Sequence, residues 1–291
     1  MSPLLRRVVT RILVAVVTLA PAVVMSTQSP TMVLESTAGA GARAAAPTLT
    51  APATADAGAK VRLRGRAPAR STVALQRQQA GRWVALGKAR ASTKGAWSTR
   101  VRFPAAGPTK VRAVVAGRAS KVRTVVVYAW LDLARQPKLI SAAFEDLPLS
   151  IGGEVLPHSI QGFNVNPDGD LLYLVWRTDR HCTDLRLRVG FLDDERSQAD
   201  LNETIQGYAA GFDAADDAVA GTPVLVATWT DPVDVALGGL ATADRIGLVW
   251  SVSDTDAATD RLSEGIGRPQ ARCDVASLPS IRADDVPPLG V

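Results

Sequence analysis

RTDRHCTDLRLRVGFLDDE, residues 177 to 195, holds one of the two cysteines of this 291-residue chain and its clearest strand pattern. Arg186 and Arg188 lie between apolar residues in this stretch. Those apolar residues occupy every second position, at Leu185, Leu187, Val189 and Phe191. Successive residues of a strand face opposite sides of a sheet, so this alternation predicts a strand with one buried face and one polar face.

The cysteine in this stretch, Cys182, has a single counterpart, Cys273, near the end of the chain. Zinc needs about four ligands, and the chain offers these two cysteines and two histidines, without a C-x-x-C pair. A cysteine nucleophile would need a nearby base, but the adjacent His181 would face the other side of the strand. An exported chain with an even, minimal cysteine count favours a disulfide. We therefore predict a bond between Cys182 and Cys273.

The N-terminus predicts export of this protein to the cell surface or the medium. MSPLLRRVVTR is basic, and an uncharged apolar run follows from Ile12 to Met25. About 14 apolar residues suit a signal-peptide core but fall short of the roughly 20 that span a bilayer. A Sec-type signal fits better than a twin-arginine signal, and the cleavage position stays open. The alternative is an uncleaved N-terminal anchor, through which alone the protein would contact a membrane.

Charge divides the rest of the chain into two regions. Residues 47–127 carry 17 Lys and Arg against one acid, whereas residues 128–291 carry 12 Lys and Arg against 26 Asp and Glu. We place a domain boundary at Val127-Tyr128, where the sign of the charge changes. The predicted organisation is a signal peptide and flexible segment over 1–46, a basic domain over 47–127, an acidic domain over 128–280 and a C-terminal tail over 281–291.

The basic domain shows the short alternating runs and turn signals of a β-sandwich. KVRLRGRA places Val61 and Leu63 on one face, and SKVRTVVV repeats this pattern with Val122 facing inward. VALQRQQAGRWVAL predicts a hairpin that turns around Ala80-Gly81. The longer segment VALQRQQAGRWVALGKARASTKGAWSTRVRF resembles the bacterial immunoglobulin-like modules of secreted proteins. That resemblance implies a spacer or adhesion element without catalysis.

The outward positions of the basic domain carry many cations. An exported protein meets wall polymers rich in phosphate or carboxylate, so we predict that these cations bind an anionic cell-wall polymer. The competing interpretation is that the basic domain docks on the acidic one, and nucleic acid is not expected as a partner. The predicted polyanion-binding residues are Lys60, Arg62, Arg64, Arg66, Arg100, Arg102, Arg112 and Arg123.

The acidic domain also predicts strands, and its segments follow a recognisable order. They are YAWLDL, IGGEVLPHSI, RHCTDLRLRVGFLDD, PVDVALGGLATADRIGLVWSVSD and GRPQARCDV. This order resembles the NPCBM family, a carbohydrate-binding module associated with glycosyl hydrolase family 98. The resemblance implies a jelly-roll-like (galactose-binding-like) sandwich whose disulfide ties the strand at Cys182 to the last strand at Cys273. The whole chain is thus predicted to be all-β, with an immunoglobulin-like sandwich before a jelly-roll-like sandwich.

A sugar site would need aromatic rings and polar groups that bond hydroxyls. Aromatic faces stack on sugar rings, although core packing is the alternative role for any tryptophan. His158 is either a structural residue or a partner of a sugar hydroxyl. Asp193 and Asp194 end a strand, where carboxylates cap the strand, bind a structural calcium ion or accept hydroxyl hydrogen bonds. The candidate carbohydrate-binding residues are Tyr128, Trp130, His158, Asp193, Asp194 and Trp229.

The sequence favours a protein that is not an enzyme. It has no G-x-S-x-G, H-E-x-x-H, P-loop or dinucleotide motif. DTDAATD matches a calcium loop at its first two ligand positions but lacks the later glycine and glutamate, so no cofactor is expected, with structural calcium as the alternative. We predict a non-catalytic protein that binds a neutral or weakly charged sugar. The alternatives are a structural or adhesive wall protein without a sugar site and, less favoured, a glycosidase using Asp193 or Asp194.

Overall fold

The computed structural model describes residues 45–140, 144–163, 172–195, 203–253 and 263–278. Within these ranges the chain forms strands and turns with one short 3-10 helix, Leu240–Thr242, and the predicted all-β fold is confirmed. No helix in the described ranges is long and apolar enough to cross a membrane. The first eight strands are β1 (Thr54–Asp56), β2 (Lys60–Arg66), β3 (Thr72–Gln79), β4 (Arg82–Arg90), β5 (Ala96–Arg102), β6 (Gly107–Val115), β7 (Arg118–Ala119) and β8 (Arg123–Asp132). The others are β9 (Leu139–Ile140), β10 (Phe144–Ile151), β11 (Glu154–Phe163), β12 (Leu172–Arg177), β13 (Cys182–Phe191), β14 (Thr204–Phe212), β15 (Ala218–Gly221), β16 (Leu225–Ala227), β17 (Val233–Gly238), β18 (Arg245–Ser253) and β19 (Ser263–Cys273).

The first sandwich packs a two-stranded layer, β2 with β5, against a layer of β1, β8, β6, β3 and β4. The inward side chains of both layers form one core, in which Leu63, Phe103 and Val125 are fully buried. β3 and β4 form the predicted hairpin, and both residues of its turn, Ala80 and Gly81, have positive φ. A two-residue turn of this hand matches the twist of the strands that it connects.

One inward position of the first sandwich was predicted wrongly. Val122 is 46% exposed, whereas Val125 and Val127 are fully buried. β8 begins only at Arg123, so Val122 lies before the strand and the alternation that reaches the core starts later. Arg123, predicted to point outward, instead shares the strand face of buried Val125 and is the direct partner of buried Val111. It is exposed because it lies at the start of β8, beyond the core.

The second sandwich packs a layer of β10, β11, β19, β13 and β17 against a layer of β15, β14, β18, β12 and β9, with β16 beside β14. The predicted inward residues of β13 are buried in the core between the layers, and so is Trp250 on β18. Trp176 on β12 is also buried there, and its Nε1 donates a hydrogen bond to the carbonyl of Leu133 (2.9 Å). Period-two alternation therefore identified the buried face of this sandwich.

The central strand of the second sandwich has a sequence untypical of a strand. β19 reads SEGIGRPQARC, and it lies between β13 on one edge and β11 followed by β8 on the other. Its glycines leave room for neighbouring side chains. A Cβ at Gly265 would lie 2.6 Å from Cδ1 of Ile151, and a Cβ at Gly267 would lie 2.2 Å from Cδ1 of Leu156. A bulge at Arg268, with φ of 50°, accommodates the proline that follows.

The predicted disulfide joins Cys182 at the start of β13 to Cys273 at the end of β19. The two residues are direct partners in the antiparallel ladder, and both are buried. Their Cα atoms are 4.0 Å apart, slightly closer than the usual range of roughly 4.4 to 6.8 Å. The bond links residues 91 positions apart and joins β19, the last strand, to β13.

β8 joins the two sandwiches in one continuous sheet. Its first half pairs with β6 of the first sandwich, and its second half, from Ala129 to Asp132, pairs with β19 of the second. The predicted boundary at Val127-Tyr128 falls inside this strand. Val127 belongs to the first core, and Leu133, one residue after the strand, belongs to the second. Cutting the chain at that boundary would divide one strand between two fragments.

Candidate functional site

The side of β8, β19, β13 and β17 that faces away from the second core is a polar surface, here called the outer face. Strand register places its side chains in rows across the sheet. One row runs from Trp130 through Arg272 to Asp184, and the next runs from Asp132 through Gln270 to Arg186. Cross-strand partners share a face of the sheet and lie about 5 Å apart, so these rows bring residues from distant parts of the sequence together.

Trp130 is an exposed aromatic residue of the outer face, with 41% of its surface accessible to solvent. The guanidinium of Arg186 lies 4.0 Å from the centroid of its ring, in a cation–π contact. The Nε of Arg186 in turn donates a hydrogen bond to Gln270 (2.8 Å). Arg186 therefore covers part of the indole, while 41% of the Trp130 surface remains exposed.

Tyr128 lies on the same side of β8 as Trp130 and is half-buried. Arg272 lies 4.5 Å from the centroid of its ring. The same guanidinium bonds Asp56 on β1 (2.6 Å), Thr183 (2.8 Å) and Asp184 (3.4 Å). Arg272 therefore fixes the phenol ring between the two sandwiches, and Tyr128 forms the border of the outer face.

His158 lies beside the outer face at an irregular point of β11, where its φ is 58°. Its Nδ1 is 3.2 Å from Oδ2 of Asp132, which follows Trp130 on the same side of β8. A non-glycine residue with positive φ is uncommon and is held by its surroundings. The structure thus brings three predicted sugar-binding residues, Tyr128, Trp130 and His158, to one surface.

A groove of about 430 Å³ opens on the outer face next to Arg186 and Gln270. The β10–β11 hairpin forms its other wall through Glu154. Glu154 bonds Arg188 (3.0 Å) and Arg268, and Arg188 also contacts Asp234 (3.7 Å). Because these charges pair with one another, the groove offers polar atoms of both signs without a strong net charge. Its full lining is Glu154, Leu156, Arg186, Leu187, Arg188, Asp234, Val235, Gly267, Arg268 and Gln270.

The other three predicted sugar-binding residues lie elsewhere. Trp229 is buried, stacks on Phe191 with ring centroids 4.4 Å apart, and donates its Nε1 hydrogen bond to Glu203 (2.8 Å). This packing corrects the prediction that Trp229 offers a ring to a sugar, because both the ring and its Nε1 are used inside the fold. Asp193 accepts hydrogen bonds from Ser150 (2.5 Å) and from the amide of Gly153 (2.9 Å).

Those two bonds hold the turn between β10 and β11, which is one of the structural roles considered for Asp193. Asp194 is exposed after the end of β13, away from the rows of the outer face. Among the described residues, no group of three or more His, Cys, Asp or Glu is arranged to hold a metal ion. The calcium-like residues Asp254, Asp256 and Asp260 lie outside the described ranges.

The second sandwich also buries carboxyl groups, which sequence patterns did not identify. Glu264 on β19 is 1% exposed, and Trp250 Nε1 lies 3.4 Å from its Oε1, while its Oε2 has no hydrogen-bond partner. Burial raises the pKa of Glu264 to about 7, and the charge of Glu195 contributes to the rise. A carboxyl group in such surroundings is stable chiefly in its protonated form at mildly acidic pH.

The predicted polyanion-binding residues divide between the two layers of the first sandwich. Arg112 lies on β6, where it stacks 4.1 Å from the ring centroid of Trp83 and bonds Gln76 (2.9 Å). Arg123 lies at the start of β8. The remaining six share the exposed side of the β2–β5 layer: Lys60, Arg62, Arg64, Arg66, Arg100 and Arg102.

Sequence reasoning missed the importance of Arg186, Gln270 and Arg272 for the outer face. Arg186 was recognised as outward-facing, but nothing in the sequence places it over Trp130. Gln270 and Arg272 lie on β19, whose glycines and proline hide the alternation of a strand. The spacing Tyr128-x-Trp130-x-Asp132 was the available signal, because it places three polar or aromatic residues on one side of a strand.

No family model matches this chain, and no curated protein matches it. The CBM51-2 and INT domains of Clostridium perfringens ZmpB resemble it at 14% identity, over 58% of this chain and 38% of that one, with a TM-score of 0.37. SGBP-B from a xyloglucan utilization locus in Bacteroides uniformis resembles it at 7% identity, over 79% and 74%, with a TM-score of 0.25. The chain thus spans less than half the length of the ZmpB structure. Likeness at these TM-scores defines neither the ligand nor the family of this chain.

Proposed function

We propose that this protein is an exported, non-catalytic carbohydrate-binding protein of the NPCBM type. Its second sandwich binds a neutral or weakly charged sugar on the outer face, with Trp130 as the stacking ring. Its first sandwich serves as a spacer or a wall-anchoring element. The observation that carries the proposal is the exposed Trp130 ring, held by Arg186 in a row of polar side chains beside an open groove.

The chemistry of the outer face suits a sugar. The apolar face of a sugar ring stacks on an aromatic ring, while its hydroxyls need both donors and acceptors of hydrogen bonds. Gln270 and Glu154 supply acceptors at the groove, and Arg186 supplies donors. A ligand that combines an apolar face with several hydroxyls satisfies these groups together.

The groove favours binding over glycoside hydrolysis. Hydrolysis needs two carboxyl groups about 5 to 10 Å apart with the scissile bond between them. Glu154 and Asp234 are carboxylates of the groove, but both contact the same Nη1 atom of Arg188, at 3.0 and 3.7 Å. Arg188 therefore lies where a substrate would have to lie.

The disulfide supports export. Cys182 and Cys273 are bonded in the structure, and such bonds persist in oxidising compartments. The signal peptide that the sequence predicts lies in residues 1–44, outside the described ranges. Appearance of the protein in the medium or at the cell surface, and its retention inside the cell when Ile12 to Met25 is deleted, would support this part of the proposal.

A glycan array probed with the full chain tests the sugar site. The chain should retain at least one neutral glycan, and Trp130→Ala should weaken that binding about tenfold or more, which corresponds to about 1.4 kcal/mol. Tyr208→Ala is the matched control, because Tyr208 is exposed to a similar degree (38%) but lies on β14 in the opposite layer.

Retention of no glycan at high protein concentration would favour the alternative function, a structural or adhesive wall protein. Equal losses for Trp130→Ala and Tyr208→Ala would contradict the position of the site. Release of free sugar from a retained glycan would contradict the proposal that the protein is not an enzyme.

A further inference from the structure

The first sandwich carries a second groove, of about 780 Å³, on the exposed side of β2 and β5. Four arginines line this arginine groove, and no carboxylate is among its lining residues. Arg62, Arg64 and Arg66 come from β2, and Arg90 comes from the end of β4. The other lining residues are Thr48, Thr50, Gly65, Ser92, Ala96, Trp97 and Ser98.

Strand register extends the positive charge beyond the groove. On the β2–β5 layer, Lys60 is the direct partner of Arg102, and Arg62 is the direct partner of Arg100. Like charges in directly opposite positions destabilise a sheet. None of these four cations is ion-paired with a carboxylate in the described ranges. Arg62 bonds Ser98 and Arg102 bonds the carbonyl of Gly58, but no ion pair among the described residues offsets the repulsion.

Within the described ranges, the contact between the two sandwiches does not relieve this positive charge. The first sandwich contains a single acid, Asp56, and that carboxylate bonds Arg272 of the second sandwich (2.6 Å). The junction thus uses an arginine of the acidic domain and an aspartate of the basic domain. No described acidic residue of the second sandwich lines the arginine groove, so the described contact between the two sandwiches does not neutralise it.

The groove also contains hydroxyl groups with hydrogens to donate. Ser98 Oγ accepts from Arg62 Nε (2.9 Å), and Ser92 Oγ accepts from the amides of Lys94 (3.3 Å) and Ala96 (3.2 Å). Since both oxygens act as acceptors in these bonds, their own O–H groups can point toward a ligand. Arginine forks and hydroxyl donors are the groups that bind carboxylate, sulfate and phosphate oxygens.

We propose that the arginine groove, continued by Lys60, Arg100 and Arg102, binds a linear acidic polysaccharide. This inference extends the function proposed above to a second site on the first sandwich. The disulfide argues for an exported protein, which meets acidic glycans rather than nucleic acid. The aromatic ring of the groove wall, Trp97, is 3% exposed, so it presents no surface on which bases could stack.

Titration of the full chain with two acidic polysaccharides tests the proposal. The probes are heparin, which carries sulfates, and polygalacturonate, which carries carboxylates; dextran is the neutral control. Binding is measured between about 0.05 and 0.5 M NaCl for the unaltered chain and for the double variant Arg62→Gln/Arg64→Gln. We expect the variant to bind at least tenfold more weakly at low salt. The slope of log affinity against log salt should fall by about one for each cation removed.

Lys110→Gln/Arg82→Gln is the matched control variant. It removes two positive charges from exposed positions of β6 and β4, in the other layer of the first sandwich. We expect its affinity for either polysaccharide to fall less than threefold. Circular dichroism of both variants shows whether the sandwich is intact.

Four outcomes would overturn the proposal. The first is that the unaltered chain binds neither heparin nor polygalacturonate at low salt. The second is that both double variants lose affinity equally, which would indicate attraction to net charge without a site. The third is that duplex DNA at the same charge concentration binds more tightly than both polysaccharides and is equally sensitive to Arg62→Gln/Arg64→Gln, which would indicate a nucleic-acid site. The fourth is unchanged affinity in the groove variant. Loss of neutral-glycan binding in Trp130→Ala concerns only the second sandwich, so the two proposals fail separately.

Discussion

The two sandwiches of this chain carry their surface charges in opposite arrangements. On the outer face of the second sandwich, Arg188 is ion-paired with Glu154, and Arg272 is ion-paired with Asp184 and Asp56. Arg186 there contacts the Trp130 ring and bonds Gln270. On the β2–β5 layer of the first sandwich, Arg62 stands directly opposite Arg100, and neither has a described ion pair. Paired charges fix the positions of their side chains and leave little net electric field. Unpaired cations create a positive potential that attracts an anionic ligand. This difference in charge pairing is the basis on which we propose two ligands of different chemistry.

The interiors differ as well. The first core consists of aliphatic side chains with Trp97 and Phe103, and its region contains no cysteine. The second core contains a disulfide and lies against the buried carboxyl groups of Glu203 and Glu264. The second sandwich should therefore respond to reduction and to pH, while the first should respond to neither.

Removal of the disulfide should have the largest effect on stability. In the chain-entropy model, closing a loop whose ends are 91 positions apart contributes about 4.6 kcal/mol. We expect Cys182→Ala/Cys273→Ala to lower the free energy of unfolding of the second sandwich by about that amount, measured by urea denaturation. Hydrogen exchange should rise mainly in strands β12 to β19 and much less in β2 to β6. A loss of unfolding free energy below about 1 kcal/mol, or an equal rise of hydrogen exchange in both sandwiches, would contradict the proposed difference between the two sandwiches.

Glu264 should give the second sandwich a pH dependence of intermediate size. Burial raises its pKa from 4.5 to about 7. Between these values the folded state holds a proton that the unfolded state has released, so the free energy of unfolding falls as pH rises through this window and is level above it. The total fall is about 3 kcal/mol. Denaturation at pH 5 and at pH 8 measures it.

The variant Glu264→Gln is the control for this titration. A neutral amide of similar shape should remove the fall between pH 5 and pH 8, and the variant should be the more stable protein at pH 8. An unchanged pH dependence in Glu264→Gln would show that another group titrates.

The smallest expected effect is a gain of stability on the first sandwich. Arg100→Gln removes the cross-strand repulsion with Arg62 and should raise the free energy of unfolding by about 0.5 kcal/mol at low salt. Arg123→Gln is the control, because its direct partner on β6 is the uncharged Val111. High salt should abolish the gain. A loss of stability in Arg100→Gln would mean that the cations are neutralised within the chain.

Alternation in the sequence predicted much of this fold, for a physical reason. A strand with one buried face must repeat with period two, and β13 follows that rule from Leu185 to Phe191. β19 does not, because Gly265 and Gly267 make room for the β10–β11 hairpin and a bulge at Arg268 shifts the register. The outer face depends on that strand, so the contact between Arg186 and Trp130 could not be predicted from either segment alone.

The candidate sugar-binding residues show the same limit of prediction from sequence. Trp130 and Trp229 are both tryptophans near strand ends in the sequence, yet one is exposed and the other is stacked on Phe191. Their difference depends on which partner strands cover them, which is a non-local property. The role of each tryptophan could therefore be assigned only from the three-dimensional structure. The cysteine pairing, by contrast, could be predicted from the cysteine count and the predicted compartment.

The most direct test of the central claim compares the salt dependence of both ligands on one preparation of the full chain. Affinity for the neutral glycan retained on the array, and affinity for polygalacturonate, are measured across the same NaCl series. Paired charges on the outer face predict that the neutral-glycan affinity changes less than about twofold, while unpaired cations predict that the polygalacturonate affinity falls steeply, by about tenfold or more. Parallel salt dependence for the two ligands would contradict the account.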